Sequence, residues 1–348
     1  MGTLRYLLLQ SKQVQSSTCG QRQRMVQVMG AQIRLNSISP DFRCKPAQCR
    51  PVAYLLRMTT TVFPTGWQAR LTLGFQRRKT RTILGQRSHQ GPLQVQRPFY
   101  PEGERVCHVA LLHPPGGVVG GDELRVDASV DTGAHALITT PAAGKFYRSA
   151  GPFARQTQLL TVAAGAALEW LPQENILYSG ARVHALTRIE LQGDARFLGW
   201  EIFCLGRPAA SETFRAGEYR QDFELWRDGE PLYLEQGRYA GGDAILDAPW
   251  GLRNQPVGAN LICAGSPPDV VGTIRSGWDA LKQPSCPLAN SSAGETELAT
   301  VSQLDGVFIG RYLGPSTARA RRFFTLAWSV LRPVLLERPP CPSRFWNT

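Results

Sequence analysis

The sequence predicts a mainly β protein, with a layered β-helix-like or β-sandwich body and two helices in its C-terminal half. Apolar and polar residues alternate over residues 124–130, which is typical of a strand with one buried face. This arrangement recurs along the chain, and helical spacing of apolar residues occurs only after residue 267. Hydrophobic residues make up 43% and charged residues 19%, so the chain can build a globular core.

A unit of strand, glycine turn and strand occurs three times. The units span residues 124–140, 156–171 and 187–202, with turn glycines at positions 133, 165 and 193. A period near 30 residues predicts stacked coils, as in a β-solenoid or a wide sandwich. Three ordinary hairpins of similar length would give the same pattern, and this alternative stays open. Two further strands are predicted at residues 221–226 and 232–239, joined by an Asp228-Gly229 turn.

Two segments have the spacing of amphipathic helices. Residues 268–281 place Val271, Ile274 and Trp278 on one face. Residues 316–331 predict the second helix, and Pro333 is expected to end it. Residues 285–296, rich in Ser, Asn, Gly and Pro, predict a loop between them.

The N-terminal segment, residues 1–57, differs from the rest of the chain. It holds nine Lys and Arg side chains and one acid, so most of the chain's net charge of +12 lies in this segment. All four methionines lie within the first 58 residues. We interpret residues 1–57 as a non-native extension from a start codon set too early, or otherwise as a disordered or targeting segment. Residues 58–348 are then one domain of nearly neutral charge.

These features exclude several classes of protein. Without the N-terminal excess of cations, a groove for nucleic acid is not expected. Apolar runs are too short for a membrane span, and the cysteines show no paired spacing. We therefore expect a cytoplasmic protein with reduced thiols, no nucleic-acid partner and no membrane partner.

A loop rich in glycine and proline occupies residues 111–122. Prolines fix φ and glycines allow conformations closed to other residues, so the loop is expected to hold His113 and Asp122 rigidly between two strands. Its structural residues are Pro114, Pro115, Gly116, Gly117, Gly120 and Gly121. The spacing G-x-x-x-x-G-K-[ST] is absent from the chain, so no nucleotide site is expected.

No catalytic motif is evident in the sequence. The five histidines lack H-E-x-x-H spacing, and G-x-S-x-G is absent. We expect a protein that is not an enzyme. A β-solenoid carbohydrate-active enzyme that uses paired carboxylates as general acid and base is the alternative.

Several long motifs together resemble the UreD family, also called UreH. They include the proline-rich segment 91–102, the glycine loop 111–122, and the segments 139–149 and 168–174. Residues 205–214, Trp328 and residues 331–333 continue the resemblance, which extends from about Trp67 to the C-terminus.

The resemblance implies a urease accessory protein. Members of the family bind apo-urease with UreF and the GTPase UreG, and nickel is thought to pass through them in transit. It implies no permanently bound cofactor and no nucleotide, and a fold of layered β-strands with two helices. A tight cage of Cys or His ligands would retain Ni²⁺, so the lack of one suits a conduit.

Matching the family motifs to this chain implies that Asp122, Glu201 and Glu235 line the nickel passage. His113 is a weaker candidate ligand, and its alternative role is structural. Glu201 stands where the family pattern leads us to expect aspartate. Glu201 and Glu235 could instead be strand residues paired with an arginine such as Arg207 or Arg238.

The segment Lys145, Phe146, Tyr147 and Arg148 combines two cations with two aromatic side chains. This composition is typical of an anchor at a protein interface. The alternative is a strand end whose aromatic side chains pack inward.

Overall fold

The computed structural model of the chain describes residues 24–28, 31–35, 66–265, 270–282 and 297–347. The chain divides into two units, residues 1–61 and 62–348. In the first unit, β1 (Arg24–Val28) and β2 (Ala31–Leu35) form an antiparallel hairpin that the sequence did not predict. The interpretation of residues 1–57 as a non-native or disordered extension otherwise lies outside the described residues and stays a prediction.

The second unit is built mostly of strands. In chain order they are β3 Gln68–Arg78, β4 Arg81–Gln90, β5 Gln94–Val95, β6 Val106–Leu112, β7 Glu123–Val130, β8 His135–Thr139, β9 Gly144–Phe146, β10 Ala154–Val162, β11 Ala167–Leu171, β12 Asn175–Leu177, β13 Arg182–Leu191, β14 Arg196–Leu205, β15 Glu218–Arg227, β16 Glu230–Ala240, β17 Val257–Ala264, β18 Leu298–Leu304 and β19 Val307–Gly314. Its described residues contain two α-helices, α1 Val271–Lys282 and α2 Thr317–Leu336. The predicted mainly β fold with two C-terminal helices is confirmed.

Two large sheets organise these strands. Sheet 1 has the order β16-β15-β13-β10-β7-β3-β4, and its five inner strands run parallel to one another. Sheet 2 has the order β18-β19-β17-β14-β11-β8-β6-β5, with β9 and β12 continuing beside β14. Its strands β6, β8, β11 and β14 are parallel, and the strands beyond them pair antiparallel.

The three sequence units are coils of a stack, and the hairpin alternative is wrong. Each unit places its first strand in sheet 1 and its second in sheet 2, so β7, β10 and β13 pair with one another while β8, β11 and β14 pair separately. The turn glycines have positive φ of 72°, 72° and 51°, as the tight corners require. The corners are also linked, because the amide of Gly165 donates to Asp194 Oδ1 at 2.6 Å.

Sheet 2 is buried on both faces, which makes the unit three layers thick. Along β14, Phe197 and Phe203 face sheet 1, whereas Trp200 and Cys204 face the helices. All four are at most 4% exposed. Full burial of one such large apolar side chain stabilises a fold by about 1.5–3 kcal/mol, so both interfaces contribute strongly. The cysteines of the described segments are unpaired, and three of the four are buried.

The second helix extends further than the sequence predicts. Ser316 caps its start, since its side chain accepts from the amide of Arg319. Pro333 lies inside α2, and the helix ends only at Glu337, which has a left-handed φ of 53°. Leu335 is only 4% exposed in the core beneath α2, and this burial favours continuing the helix past the proline.

The first helix begins at Val271, three residues after the predicted start, and the predicted loop 285–296 lies outside the described residues. Within the described segments, neither α1 nor α2 is long and apolar enough to cross a membrane.

Candidate functional site

A cavity of about 320 Å³ lies between the two sheets. Most of its wall is apolar and comes from the inner faces of β7, β10 and β14, together with the glycine loop. The exposed residues in its lining are Pro114, Gly116, Ala142 and Lys145, which mark its mouth at the loop end of the coils. This cavity contains several of the residues that the sequence singled out.

Asp122 fixes the glycine loop from within. Its Oδ1 accepts from the amide of Trp67 at 2.8 Å, and its Oδ2 accepts from the amide of Val119 at 2.9 Å. The residue is 6% exposed and is not part of the cavity lining. Both carboxylate oxygens are therefore engaged in holding the loop, and its predicted role in nickel passage stays untested.

The loop glycines allow close approach to neighbouring coils. A Cβ on Gly117 would lie 2.1 Å from the ring of Tyr147, and one on Gly120 would lie 2.1 Å from Ser149 Oγ. A methyl group would therefore push the next coil away. The structural role predicted for these glycines thus has a direct steric cause.

His113 lines the cavity near its mouth and is half-buried. Burial lowers the pKa of its imidazole, although the charge of Asp122 opposes that shift. The ring is therefore neutral at pH 7, and a neutral imidazole nitrogen can coordinate a metal ion.

Glu201 lies deep in the cavity on β14. Its Oε1 contacts Thr187 Oγ1, and its Oε2 accepts from Gln221 Nε2 at 2.5 Å. Within the described segments it has no arginine partner, so the alternative of an ion pair with an arginine such as Arg207 is wrong for this residue, and Arg207 pairs with Glu212. Burial raises the pKa of this carboxyl, and the charge of Glu235 adds to the shift.

The contacts of Thr187 bear on the protonation of Glu201. Thr187 Oγ1 lies 2.9 Å from Gln158 Oε1 while it also contacts Glu201 Oε1, but a hydroxyl has one proton to donate. Both contacts are satisfied when Glu201 is protonated, or when Gln158 presents its amide nitrogen. A protonated Glu201 would leave no charged carboxylate inside this mostly apolar cavity.

Glu235 lies on the edge strand β16 and faces the space between the sheets. Its Oε2 accepts from Tyr233 Oη at 2.5 Å and from Asn260 Nδ2 at 3.1 Å, and its Oε1 lies 3.5 Å from Arg311. The alternative that Glu235 pairs with an arginine is thus correct. The partner is Arg311, whereas Arg238 pairs with Glu218.

Polar side chains connect these two acids across the sheet. Asn260 pairs with Glu201 on one side and with Arg311 on the other, so all three lie in one row on the inner face of sheet 2. Glu235 reaches this row from sheet 1 through Asn260. Polar side chains on neighbouring strands therefore lie between the cavity and the edge strand β16, and Asn260 bonds Glu235 directly.

The segment 145–148 divides between surface and core. Phe146 is 1% exposed and packs between the sheets, so the interface prediction does not hold for it. Lys145, Tyr147 and Arg148 are exposed. The inward-packing alternative is thus correct for Phe146 and not for Tyr147, because successive side chains of a strand point to opposite sides. The interface prediction for the exposed residues stays untested.

Sequence reasoning missed a buried ionic network under α2. Arg332 and Glu169 are both fully buried, with Nε and Oε2 3.0 Å apart. Arg332 also bonds Glu102 at 2.6 Å, and His135 bonds Glu169 at 2.9 Å. Burial alone would raise the pKa of Glu169, but His135 and Arg332 lower it to about 2. Glu169 and Arg332 both lie in segments that resemble family motifs, which was the available signal.

Metal-binding clusters are lacking in the described segments, where no group of three or more His, Cys, Asp or Glu side chains could hold an ion. His113 and Glu201 line the cavity, whereas Glu235 lies outside its lining and bonds Asn260. Each could contact a passing cation, and none has the partners that make a closed site.

Comparison with known proteins shows which family this chain belongs to. Residues 68–347 match the family model described as UreD urease accessory protein. The chain belongs to the UreD family. A urease accessory protein UreD from Azoarcus sp. (strain BH72) is 44% identical over 81% of this chain and 95% of its own length. One from Pseudomonas fluorescens is 45% identical over 84% of this chain and 99% of its own length.

A urease accessory protein UreD from Nostoc sp. is 43% identical over 83% of this chain and 99% of its own length. Nearly the whole length of these UreD proteins is therefore represented here. Glu201, Glu235 and the glycine loop lie within the matched region.

Proposed function

We propose that this protein acts in urease maturation as a non-catalytic scaffold. It binds apo-urease together with UreF and the GTPase UreG, and nickel passes through its interior toward the dinickel centre of urease. Nickel is the cargo, and the protein keeps no cofactor or nucleotide of its own. Membership of the UreD family carries the first part of this proposal.

The interior route supports the passage of nickel. Ni²⁺ binds nitrogen and sulfur ligands tightly, so a conduit should offer few donors at any one point. Along this route the donors come singly: His113 near the mouth, then Glu201, then Glu235 at the sheet edge. Water can complete the coordination shell at each step, so the ion would move by exchanging one donor for the next.

Glu201 is suited to exchange a proton for the cation. In the empty cavity the protonated carboxyl avoids a buried charge, which is costly in apolar surroundings. A dication beside it stabilises the carboxylate and displaces the proton. Because the pKa of Glu201 is raised, protons compete with nickel at pH values above the ordinary carboxyl range. Nickel passage should therefore fall as the pH decreases through that raised value.

The enclosed position of Glu201 disfavours the carbohydrate-active alternative. A polysaccharide needs an open groove along the acids, whereas Glu201 is reached through a cavity of about 320 Å³. In addition, Glu235 is bonded to Tyr233, Asn260 and Arg311, which leaves little room to accept a substrate proton.

The test uses cells that carry the other urease genes and lack this one. Glu201→Gln keeps the shape of the side chain and can keep its bonds to Thr187 and Gln221. We expect urease nickel content and activity to fall at least fivefold, while the variant still co-purifies with UreF, UreG and urease. Glu123→Gln is the matched control, because this acid is about half exposed on the outer face of sheet 1.

Each part of the proposal can fail separately. Normal nickel loading with Glu201→Gln would refute the interior route, and failure of the wild-type protein to co-purify would refute the scaffold. We also expect residues 58–348 to activate urease as the full chain does. If only the full chain works, the interpretation of residues 1–57 as a non-native extension is wrong.

A further inference from the structure

The loops at the mouth end of the coils form a third, narrow face of the stack. Backbone hydrogen bonds join successive chain segments along this face: Tyr147 N donates to Val118 O at 2.9 Å, and Tyr178 N donates to Phe146 O at 3.0 Å. Gly206 N continues this series by donating to Leu177 O at 2.7 Å. The side chains that point outward from these segments are Val119, Tyr147, Tyr178 and Arg207, and we call them the loop ladder.

The loop ladder is held rigidly in place. The rings of Tyr147 and Tyr178 meet edge to face with centroids 4.9 Å apart, and the guanidinium of Arg207 lies 4.4 Å from the centre of the Tyr178 ring. Gly117 lets the Tyr147 ring lie directly against the backbone of the glycine loop. Tyr147 is exposed and Tyr178 is partly exposed. Aromatic side chains with few rotamers to lose are suited to binding another protein.

Positive charge flanks this ladder. Lys145 and Arg148 are exposed, and neither forms an ion pair with a carboxylate of the described residues. Arg207 is partly neutralised, because Glu212 bonds it at 2.5 Å. The charge of Glu212 also acts on Arg148, so Lys145, Arg148 and Arg207 face this one carboxylate and the surface around the loop ladder is net positive.

Lys145 also lines the mouth of the cavity. A divalent cation that approaches this mouth meets like charge from Lys145 and Arg148, which disfavours entry. A carboxylate-bearing segment laid over the ladder would cancel that repulsion and supply oxygen ligands at the entrance. The same contact would thus dock the partner and open the route to cations.

We infer that the loop ladder is the docking surface for an extended acidic segment of a partner protein, which covers the cavity mouth. The inference rests on the proposed function in one respect, that nickel uses this cavity. The chemistry fits alternating acidic and apolar side chains, with acids meeting Lys145 and Arg148 and apolar groups meeting the two tyrosines.

Site-specific photo-crosslinking tests where the partner binds. A p-benzoylphenylalanine residue replaces Tyr147 in cells that express the urease genes, and a second version replaces Gln236, an exposed residue on the outer face of sheet 1. We expect position 147 to crosslink to one protein segment of net negative charge, identified by mass spectrometry. Crosslinks to a neutral or basic segment, crosslinks to nucleic acid, or yields no higher than at position 236 would overturn the inference.

Charge reversal tests the chemistry of the contact. Lys145→Glu with Arg148→Glu should weaken binding of the crosslinked partner at least tenfold, measured with purified proteins at low salt. The control pair is Arg78→Glu with Arg87→Glu, two exposed cations on the β3–β4 hairpin that change the net charge equally. When the acids of the crosslinked segment are changed to lysine, the segment should again bind the variant with Lys145→Glu and Arg148→Glu. It should no longer bind the wild-type protein. Equal losses from both pairs, or no restoration, would refute the proposed contact.

The outcome does not depend on that of the nickel route. Crosslinking and affinity are measured without nickel loading, so they can succeed when Glu201→Gln has no effect. Conversely, position 147 can fail to crosslink while Glu201→Gln still lowers nickel loading. That result would support the nickel route and would show that the partner binds at another surface.

Discussion

Replacing Arg332 with methionine should destabilise the protein more than any exposed substitution on the same helix. Methionine fills most of the space of the arginine stem but provides no charge. Glu169 and Glu102 would then remain buried without the guanidinium, although Glu169 still bonds His135 and Glu102 still bonds His108. Removing one partner of a buried ion pair typically costs about 3–5 kcal/mol.

The structure sets the cost near the lower end of that range. After the change, Glu169 still accepts from Trp328 Nε1 at 2.7 Å and from His135 at 2.9 Å. We therefore expect a loss of about 3 kcal/mol in the free energy of unfolding. With a urea slope of about 3 kcal/mol/M, the unfolding midpoint should move by about 1 M.

Urea unfolding followed by tryptophan fluorescence measures this change, since Trp328 lies beside Arg332. Arg322→Met is the matched control, because Arg322 is exposed on the same helix and should change stability by less than about 0.5 kcal/mol. If the two variants unfold at the same urea concentration, the network does not stabilise the fold as we argue.

The effect should also depend on pH in a definite direction. The pKa of Glu169 is lowered to about 2, so its ionised form stabilises the folded state above the ordinary pKa of a carboxyl. That contribution is lost as the pH falls toward 2. The stability difference between wild type and Arg332→Met should accordingly shrink over this range, and a difference that grows on acidification would contradict it.

Two further substitutions test the coil stack. Phe146→Ala should lower the free energy of unfolding by about 3–5 kcal/mol, because the side chain is 1% exposed, whereas Tyr147→Ala should lower it by less than about 1 kcal/mol. Chemical denaturation of both variants measures these losses. Equal losses would contradict the assignment of inner and outer faces. Gly117→Ala should displace the Tyr147 ring, since its Cβ would lie 2.1 Å from that ring. Faster nitration of Tyr147 would reveal the displacement, and an unchanged rate would count against it.

Much of the fold could be predicted from local pattern. Alternation of apolar residues identified the strands, and Gly133, Gly165 and Gly193 marked their corners. Pattern does not say which strands pair, because an inward-facing residue looks the same in a hairpin and in a coil. Only the three-dimensional structure showed that each unit divides between two sheets.

The helix end and the site show the same limit. Pro333 reads locally as a stop, but burial of Leu335 carries α2 past it. Glu201 and Glu235 were identified through the family resemblance, whereas Gln221, which bonds Glu201, and Arg311, which pairs with Glu235, lie 20 and 76 positions further along the chain. Such partners are determined by the stacking of coils, which no short motif encodes.

The buried pair of Glu169 and Arg332 has a consequence for synthesis of the chain. The two residues are 163 positions apart, so at 5–20 residues per second a ribosome needs roughly 10–30 s to add Arg332 after Glu169. During that interval the coils can assemble, but the outer face of sheet 2 has neither its counter-charge nor its covering helix. A nascent chain at this stage exposes Trp200 and Leu198 and is prone to aggregate. We therefore expect chains that end before α2 to be retained by chaperones or degraded.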